Sequence, residues 1–305
     1  MIGSSKIGLR PIRGGGGGAA PNPDFVSTWD TTQAGSASDT IVLPMAAGNT
    51  VDWGDGTVNT SNTHTYAAGG TYTVTIIGSV TGFRFNYGGD KLKIIEVVNC
   101  GGLVIDNTSM FFGTSNLDTW SATDAPTITT TSLFMMFRNS GDITPDWSNW
   151  DVSGVTNMVA FLRSGGAGSN PNPNISAWVT TSLTNAKEFA INNTNFNQNL
   201  NGWSFGLVTN VTRMFNNADA YDQPMGDWDI TSVTTGFNTF MLSSTGLSPA
   251  NYGTTLIGWA AQLPIPYSGI VHMGGSTYDS GDAAVVAARN AIISSVGGIT
   301  DGGAA

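Results

Sequence analysis

Residues 150–161 read WDVSGVTNMVAF, and residues 203–215 read WSFGLVTNVTRMF. Both segments begin with tryptophan, place Val-Thr-Asn five residues later and end on phenylalanine. Looser copies begin at Trp178 and Trp228. Self-similarity at a period of about 20–50 residues is typical of proteins built from stacked repeats. The sequence therefore predicts a central region in which successive coils of the chain lie on one another.

The apolar positions of the repeat keep a steady spacing. Tryptophans recur at intervals of 30, 28, 25 and 25 residues: Trp120, Trp150, Trp178, Trp203 and Trp228. Aromatic partners follow at 24 to 28 residues: Phe137, Phe161, Phe189, Phe215 and Phe240. One unit of this length cannot bury its own apolar edge, whereas stacking places each side chain beside its equivalent. We expect these ten residues to form the repeat core and not a platform for a ligand.

The region before the repeats has strand patterning. Residues 71–77 read TYTVTII, so Tyr72, Val74 and Ile76 share one face of a half-buried strand. Residues 53–57 read WGDGT, and Asp-Gly pairs accept the positive φ of tight turns. A small β domain is predicted over residues 25–85.

The end of the chain has helix signals. Ser248 and Pro249 suit the N-cap and first position of one helix. Asp282 begins a second helix, which Gly297 ends. Its apolar stripe consists of Val285, Ala288, Ile292 and Val296. Residues 247–305 are thus predicted to be a helical cap over the open edge of the stack.

Composition excludes several functions. The net charge is −10, and only 11 of the 305 residues are Lys or Arg, which argues against nucleic-acid binding. A single cysteine, Cys100, allows neither an internal disulfide nor a cysteine-based zinc site, and we expect a buried thiol there. No run of 18 apolar residues exists, so membrane insertion is not expected.

Residues 1–24 contain five consecutive glycines and three cations, Lys6, Arg10 and Arg13. Residues 1–23 carry a charge of +3, whereas the rest carries 8 cationic and 21 acidic side chains, a net charge of −13. This segment is either an unstructured tail or an arm that docks into a partner subunit. It has no apolar stretch resembling an export signal, so we expect either a signal removed beforehand or release as part of a phage particle.

Two parts of the sequence each resemble a known protein family. VDWGDGT at 51–57, His64-Thr65-Tyr66 and GTYTVT at 70–75 resemble the polycystic-kidney-disease (PKD) type of immunoglobulin-like domain. Residues 147–161 and 196–215 resemble BspA-like leucine-rich-repeat surface proteins. These resemblances imply a mainly β fold: an immunoglobulin-like β-sandwich at 25–85, a leucine-rich-repeat-type solenoid at 86–246, and the cap at 247–305.

No local motif nominates catalytic residues. His64 and His272 lack a nucleophile beside them in sequence, and no pair of the 21 carboxylates stands out. Asp52 and Asp55 either share a calcium ion or bond to their own turn; local bonding is the simpler interpretation. We therefore expect no enzymatic activity and no cofactor.

The expected function is structural. The first hypothesis is a bacteriophage virion protein, a tail-fibre, spike or head-fibre component that attaches to the host surface. Its partners would be other virion proteins, reached through the N-terminal arm, and a host glycan or protein; a homo-oligomer, in particular a trimer, is expected. The alternative hypothesis is an extracellular adhesin on the bacterial cell surface.

Overall fold

The computed structural model describes residues 23–166 and 168–305. This part of the chain is mainly β. The strands are β1 Phe25–Asp30, β2 Thr40–Val42, β3 Val51–Asp52, β4 Val58–Asn59, β5 Thr63–Thr65, β6 Thr71–Ile76, β7 Ile94–Asn99, β8 Val104–Ile105, β9 Thr119–Trp120, β10 Thr127–Ile128, β11 Gly269–His272, β12 Thr277–Tyr278, β13 Gly297–Thr300 and β14 Gly303–Ala304. The helices are a 3₁₀ turn Phe237–Thr239, α1 Pro249–Ala260 and α2 Ala283–Val296.

The largest sheet has the strand order β4-β3-β6-β1-β7-β9. Its central strand β1 pairs antiparallel with both β6 and β7 and alternates buried and half-buried residues. In β6 the predicted alternation is confirmed, because Val74 and Ile76 are fully buried and Tyr72 is half-buried, while the alternate positions are threonines that are exposed or half-buried. Gly54 and Gly56 take positive φ in the turn between β3 and β4.

This sheet crosses the boundary expected at residue 85. Strand β7 joins β1 on one side and pairs in parallel with β9 on the other. Parallel pairing continues between the successive repeats that follow β9. The N-terminal strands and the first repeat therefore share one sheet and one continuous apolar core.

Equivalent positions of successive repeats are joined by parallel bridges. One row of bridges links Ser132, Asn157, Asn185, Asn210 and Thr235. Indole N–H groups add bonds between coils: Trp178 donates to the Trp147 carbonyl at 2.7 Å, and Trp228 donates to that of Leu200 at 2.7 Å. Each coil thus satisfies backbone carbonyls of its neighbour while its rings fill the interior.

The two predicted helices are confirmed. Asp282 caps α2 by accepting bonds from two amides of its first turn, and Val285, Ala288, Ile292 and Val296 are its buried residues. Ser248 precedes Pro249 as expected, but its hydroxyl does not cap α1. It donates instead to Asp222 at 2.9 Å, which ties the helix to the repeats.

Candidate functional site

Stacking aligns one turn of each repeat into a continuous face. Amides of one repeat donate to carbonyls of the next: Met135 to Val159 at 3.0 Å, Ala160 to Lys187 at 3.0 Å and Glu188 to Thr212 at 2.8 Å. Met135, Ala160 and Glu188 all have φ near +55°, as does Arg213, so the turns share one conformation. We call this surface the turn face; it consists of residues 84–87, 109–113, 134–139, 159–164, 187–192 and 212–217.

Most of the cations of the described chain lie on or beside the turn face. Eight cationic side chains occur from residue 24 onward, and six of them lie on or beside the turn face. Arg84 donates to the Thr108 carbonyl. The other five form what we call the basic stripe: Lys91, Arg138, Arg163, Lys187 and Arg213. The same residues from 24 to 305 carry 21 acidic side chains. A local band of positive charge on an acidic body attracts and orients anionic partners.

Glu188 is the acidic side chain that joins several members of the stripe. One carboxylate oxygen lies 2.6 Å from Arg163, and the other contacts Arg213 and lies 3.9 Å from Lys187. Only 8% of the Glu188 side chain is exposed, against 30% for Arg163 and 45% for Arg213. The carboxylate is therefore enclosed, whereas the guanidinium groups keep faces open to solvent.

The sequence positions of these charged residues do not show how their side chains are arranged in the stack. Arg163, Glu188 and Arg213 are 25 residues apart in sequence, as if they occupied one column of the stack. The bridging residues Asn157 and Asn185, however, are 28 apart. Arg163 consequently lies six positions after its bridge, whereas Glu188 and Arg213 each lie three positions after theirs. Glu188 is therefore in register with Arg213 and offset from Arg163, and it forms ion pairs with both.

The N-terminal end of the stripe is aromatic. The Tyr87 ring lies 4.7 Å from that of Phe112, and the Lys91 ammonium lies 4.8 Å from the Tyr87 ring centre. The Arg138 guanidinium sits 4.9 Å from the centre of Phe112. Cations over aromatic faces are electrostatically stabilised. Sequence reasoning missed this end because Tyr87 and Lys91 precede the recognisable repeats.

Arg138 has unused hydrogen-bonding capacity. Its Nε is buried and has no partner among the described residues. Burial, and next the charge of Arg163, lower the pKa of Arg138 from its usual range. An anion placed beside the guanidinium groups of Arg138 and Arg163 would stabilise their charged forms and raise the pKa of Arg138 again.

The residues expected to form the repeat core all lie in the interior. Trp120 is 7% exposed, and the other nine of the set are exposed by 3% or less. Trp178 and Trp203 stack with ring centres 5.9 Å apart, and Phe111 and Phe137 do so at 5.2 Å. The ten side chains therefore do not line the candidate site. Lys6, Arg10 and Arg13 lie outside the described residues.

The other polar residues considered from sequence are bonded locally. Asp52 accepts from the Gly54 amide at 3.0 Å, and Asp55 accepts from Thr57 and lies 2.8 Å from Nε2 of His64. Within residues 23–166 and 168–305, no three metal-binding side chains are grouped as a metal site would need. Cys100 is buried, as predicted, and burial raises the pKa of its thiol.

Comparison with known families identifies the repeats. Residues 102–165 and 131–248 match the family described as Mycoplasma protein of unknown function, DUF285. This is a repeat family of the BspA-like kind, so the chain between residues 102 and 248 is similar to BspA-like surface proteins. No curated protein and no solved structure matches the chain significantly. Among the helices that the structure describes, none is long and apolar enough to cross a membrane.

Replacing Glu188 tests whether the stripe is held together by this one carboxylate. We expect Glu188→Gln to lower the free energy of unfolding by about 1–2 kcal/mol, because an enclosed charge partner is lost while the arginines stay partly solvated. Urea titration measures the change, and 1 M salt should reduce it. The matched control is Glu96→Gln, whose side chain accepts from Thr28 and Ser121 away from the stripe. Equal effects of the two substitutions would contradict the assignment.

Proposed function

We propose that this chain is a non-enzymatic attachment protein whose repeats form a leucine-rich-repeat-type solenoid. A PKD-like immunoglobulin fold precedes the solenoid, and the two helices cap it. The basic stripe carries the proposal, because it concentrates cations on one face of a strongly acidic protein. Stacking builds this face from coils that are remote in sequence.

The chemistry of the stripe suits an extended anionic target. A guanidinium group presents a planar set of donors that matches carboxylate, sulfate and phosphate groups. Arg163 and Arg213 remain 30% and 45% exposed, so each keeps donors free beside its bond to Glu188. The stripe follows the stacking direction from Lys91 to Arg213. A polymer with repeated negative charges would contact several coils at once.

Two biological settings are proposed for this activity. In the first, the chain is a bacteriophage tail-fibre, spike or head-fibre component, arranged as a homo-oligomer such as a trimer and held by other virion proteins through Lys6, Arg10 and Arg13. In the second, it is an adhesin on the bacterial surface, which the similarity to BspA-like proteins favours. Detecting the chain in purified phage particles or in a cell-envelope fraction separates the two.

Removing two stripe cations should weaken attachment. We expect Arg163→Gln/Arg213→Gln to lower binding of the labelled full-length chain to intact bacteria at least fivefold, measured by flow cytometry. Because Glu188 loses both arginine partners, circular dichroism and thermal unfolding check that this variant is folded at the assay temperature. Binding of the unaltered chain should fall as salt rises, because exposed charges are screened.

The control variant changes the net charge by the same amount at positions outside the basic stripe. Val179→Asp/Leu207→Asp also shifts the charge by −2, at side chains that are 57% and 55% exposed and outside the stripe. We expect this variant to bind nearly as the unaltered chain does. Similar losses in both variants would mean that overall charge governs attachment, and unchanged binding in the stripe variant would refute the proposal.

A further inference from the structure

A small cleft opens at the aromatic end of the stripe. It has a volume of about 310 Å³ and is lined by Tyr87, Lys91, Gly113, Asn139 and the loop of Gly165 and Gly166. This volume is at the lower end of the roughly 300–1,000 Å³ of small-molecule sites. It would accommodate a compact polar group of about one sugar ring.

Tyr87 lines this cleft in a strained backbone conformation. Its φ is +68°, a conformation that bulky side chains rarely adopt, and 55% of the residue is exposed. Its amide nevertheless donates to the Phe112 carbonyl at 3.1 Å. This is the same kind of bond that joins successive turns along the turn face. The ring contacts Phe112 and Lys91 within the chain, and more than half of the residue remains open to solvent beside the cleft.

Glycines keep the cleft open. A Cβ on Gly113, whose φ is +87°, would lie 2.5 Å from the Tyr87 ring and 2.9 Å from Lys91. A Cβ on Gly165 would lie 2.6 Å from Oδ1 of Asn139. Both positions are therefore incompatible with a side chain while the walls stay in place.

The cleft also holds an unsatisfied acceptor. Oδ1 of Asn139 is buried and has no hydrogen-bond partner among the described residues. A buried polar group without a partner is costly, and a ligand hydroxyl satisfies it only when the Gly165 backbone that covers it moves aside. Lys91 lines the same space, with its ammonium 4.8 Å from the centre of the Tyr87 ring. The cleft therefore combines an aromatic ring, a cation and a hydrogen-bond acceptor.

We propose that this cleft binds one acidic sugar unit, a uronate or sulfated hexose, of the polymer that the basic stripe follows. The exposed part of the Tyr87 ring packs against the apolar face of the sugar. Lys91 moves from the ring to pair with the acid group, and Asn139 accepts from a sugar hydroxyl once the backbone at Gly165 has shifted. This inference rests on the proposed attachment function and names the chemical class of its target.

The test compares three polymers on the full chain by biolayer interferometry. Polygalacturonate and dextran sulfate offer sugar rings with charge, and polyphosphate offers charge without rings. We expect at least one of the acidic glycans to bind tenfold more tightly than polyphosphate at equal charge concentration. Tyr87→Asn should abolish that tenfold preference, since asparagine tolerates positive φ but has no ring. Tyr87→Phe should retain it within threefold.

Each outcome is decisive for the cleft. Failure of both acidic glycans to bind, or equal binding of polyphosphate, overturns the inference. So does an unchanged preference in Tyr87→Asn, whose folding is checked by circular dichroism. If these results appear while Arg163→Gln/Arg213→Gln still lowers attachment to cells, the attachment function stands and only the sugar site is lost.

Discussion

Trp203→Ala should lower the free energy of unfolding by about 3–5 kcal/mol, the range observed when a large aromatic side chain is removed from a core. Trp203 is 2% exposed, stacks on Trp178 at 5.9 Å and meets the edge of Phe189 at 5.5 Å. Its indole N–H donates to the Ile175 carbonyl at 3.0 Å. The substitution therefore opens a cavity between two coils and also leaves a buried acceptor without its donor.

A second substitution of Trp203 separates the cavity from the hydrogen bond, and a surface substitution serves as the control. Trp203→Phe keeps much of the ring volume but loses the hydrogen bond, so we expect a loss of about 1–2 kcal/mol. Lys187→Ala, in a side chain that is 39% exposed, should change stability by less than about 0.5 kcal/mol. Chemical denaturation followed by tryptophan fluorescence and circular dichroism gives all three values. A near-neutral Trp203→Ala would be incompatible with indoles forming the shared interior.

Gly258→Ala should destabilise the chain by about 2–3 kcal/mol, although alanine is the better helix former. Gly258 lies inside α1, where a Cβ would be 2.1 Å from the carbonyl oxygen of Gly226. That oxygen belongs to the backbone of the last coil and cannot rotate away. The helix would have to lift from the stack, which would weaken the bond from the Trp259 indole to the Met225 carbonyl at 2.8 Å.

The control for this prediction is Gly154→Ala, where an added Cβ meets nothing within 4 Å. We expect its free energy of unfolding to change by less than about 0.5 kcal/mol. Because α1 covers the end of the stack, Gly258→Ala should also increase light scattering on mild heating, as uncovered backbone edges associate. Stabilisation by Gly258→Ala would show that the helix does not pack as closely as described.

The sequence anticipated features that depend on local pattern. The cap at Asp282, the buried stripe of α2 and the alternation in β6 follow from periods of 3.6 and 2, which a short segment expresses by itself. The buried tryptophans follow from the repeat period, since equivalent positions of stacked units must meet. Trp147 is fully buried and stacks on Trp150 at 4.5 Å, but it departs from that period, so the repeat pattern does not predict it as a core residue.

The repeat, its interior side chains and the closing helices can be predicted from local patterns of the sequence. The sheet that joins β1 to β7 and the basic stripe with its aromatic end arise only when the chain is folded. The stripe depends on the number of residues between one bridge and the next, which is 28 from Asn157 to Asn185. An insertion changes which surface side chains become neighbours without changing the apolar pattern, so charges distant in sequence meet only when the coils are stacked.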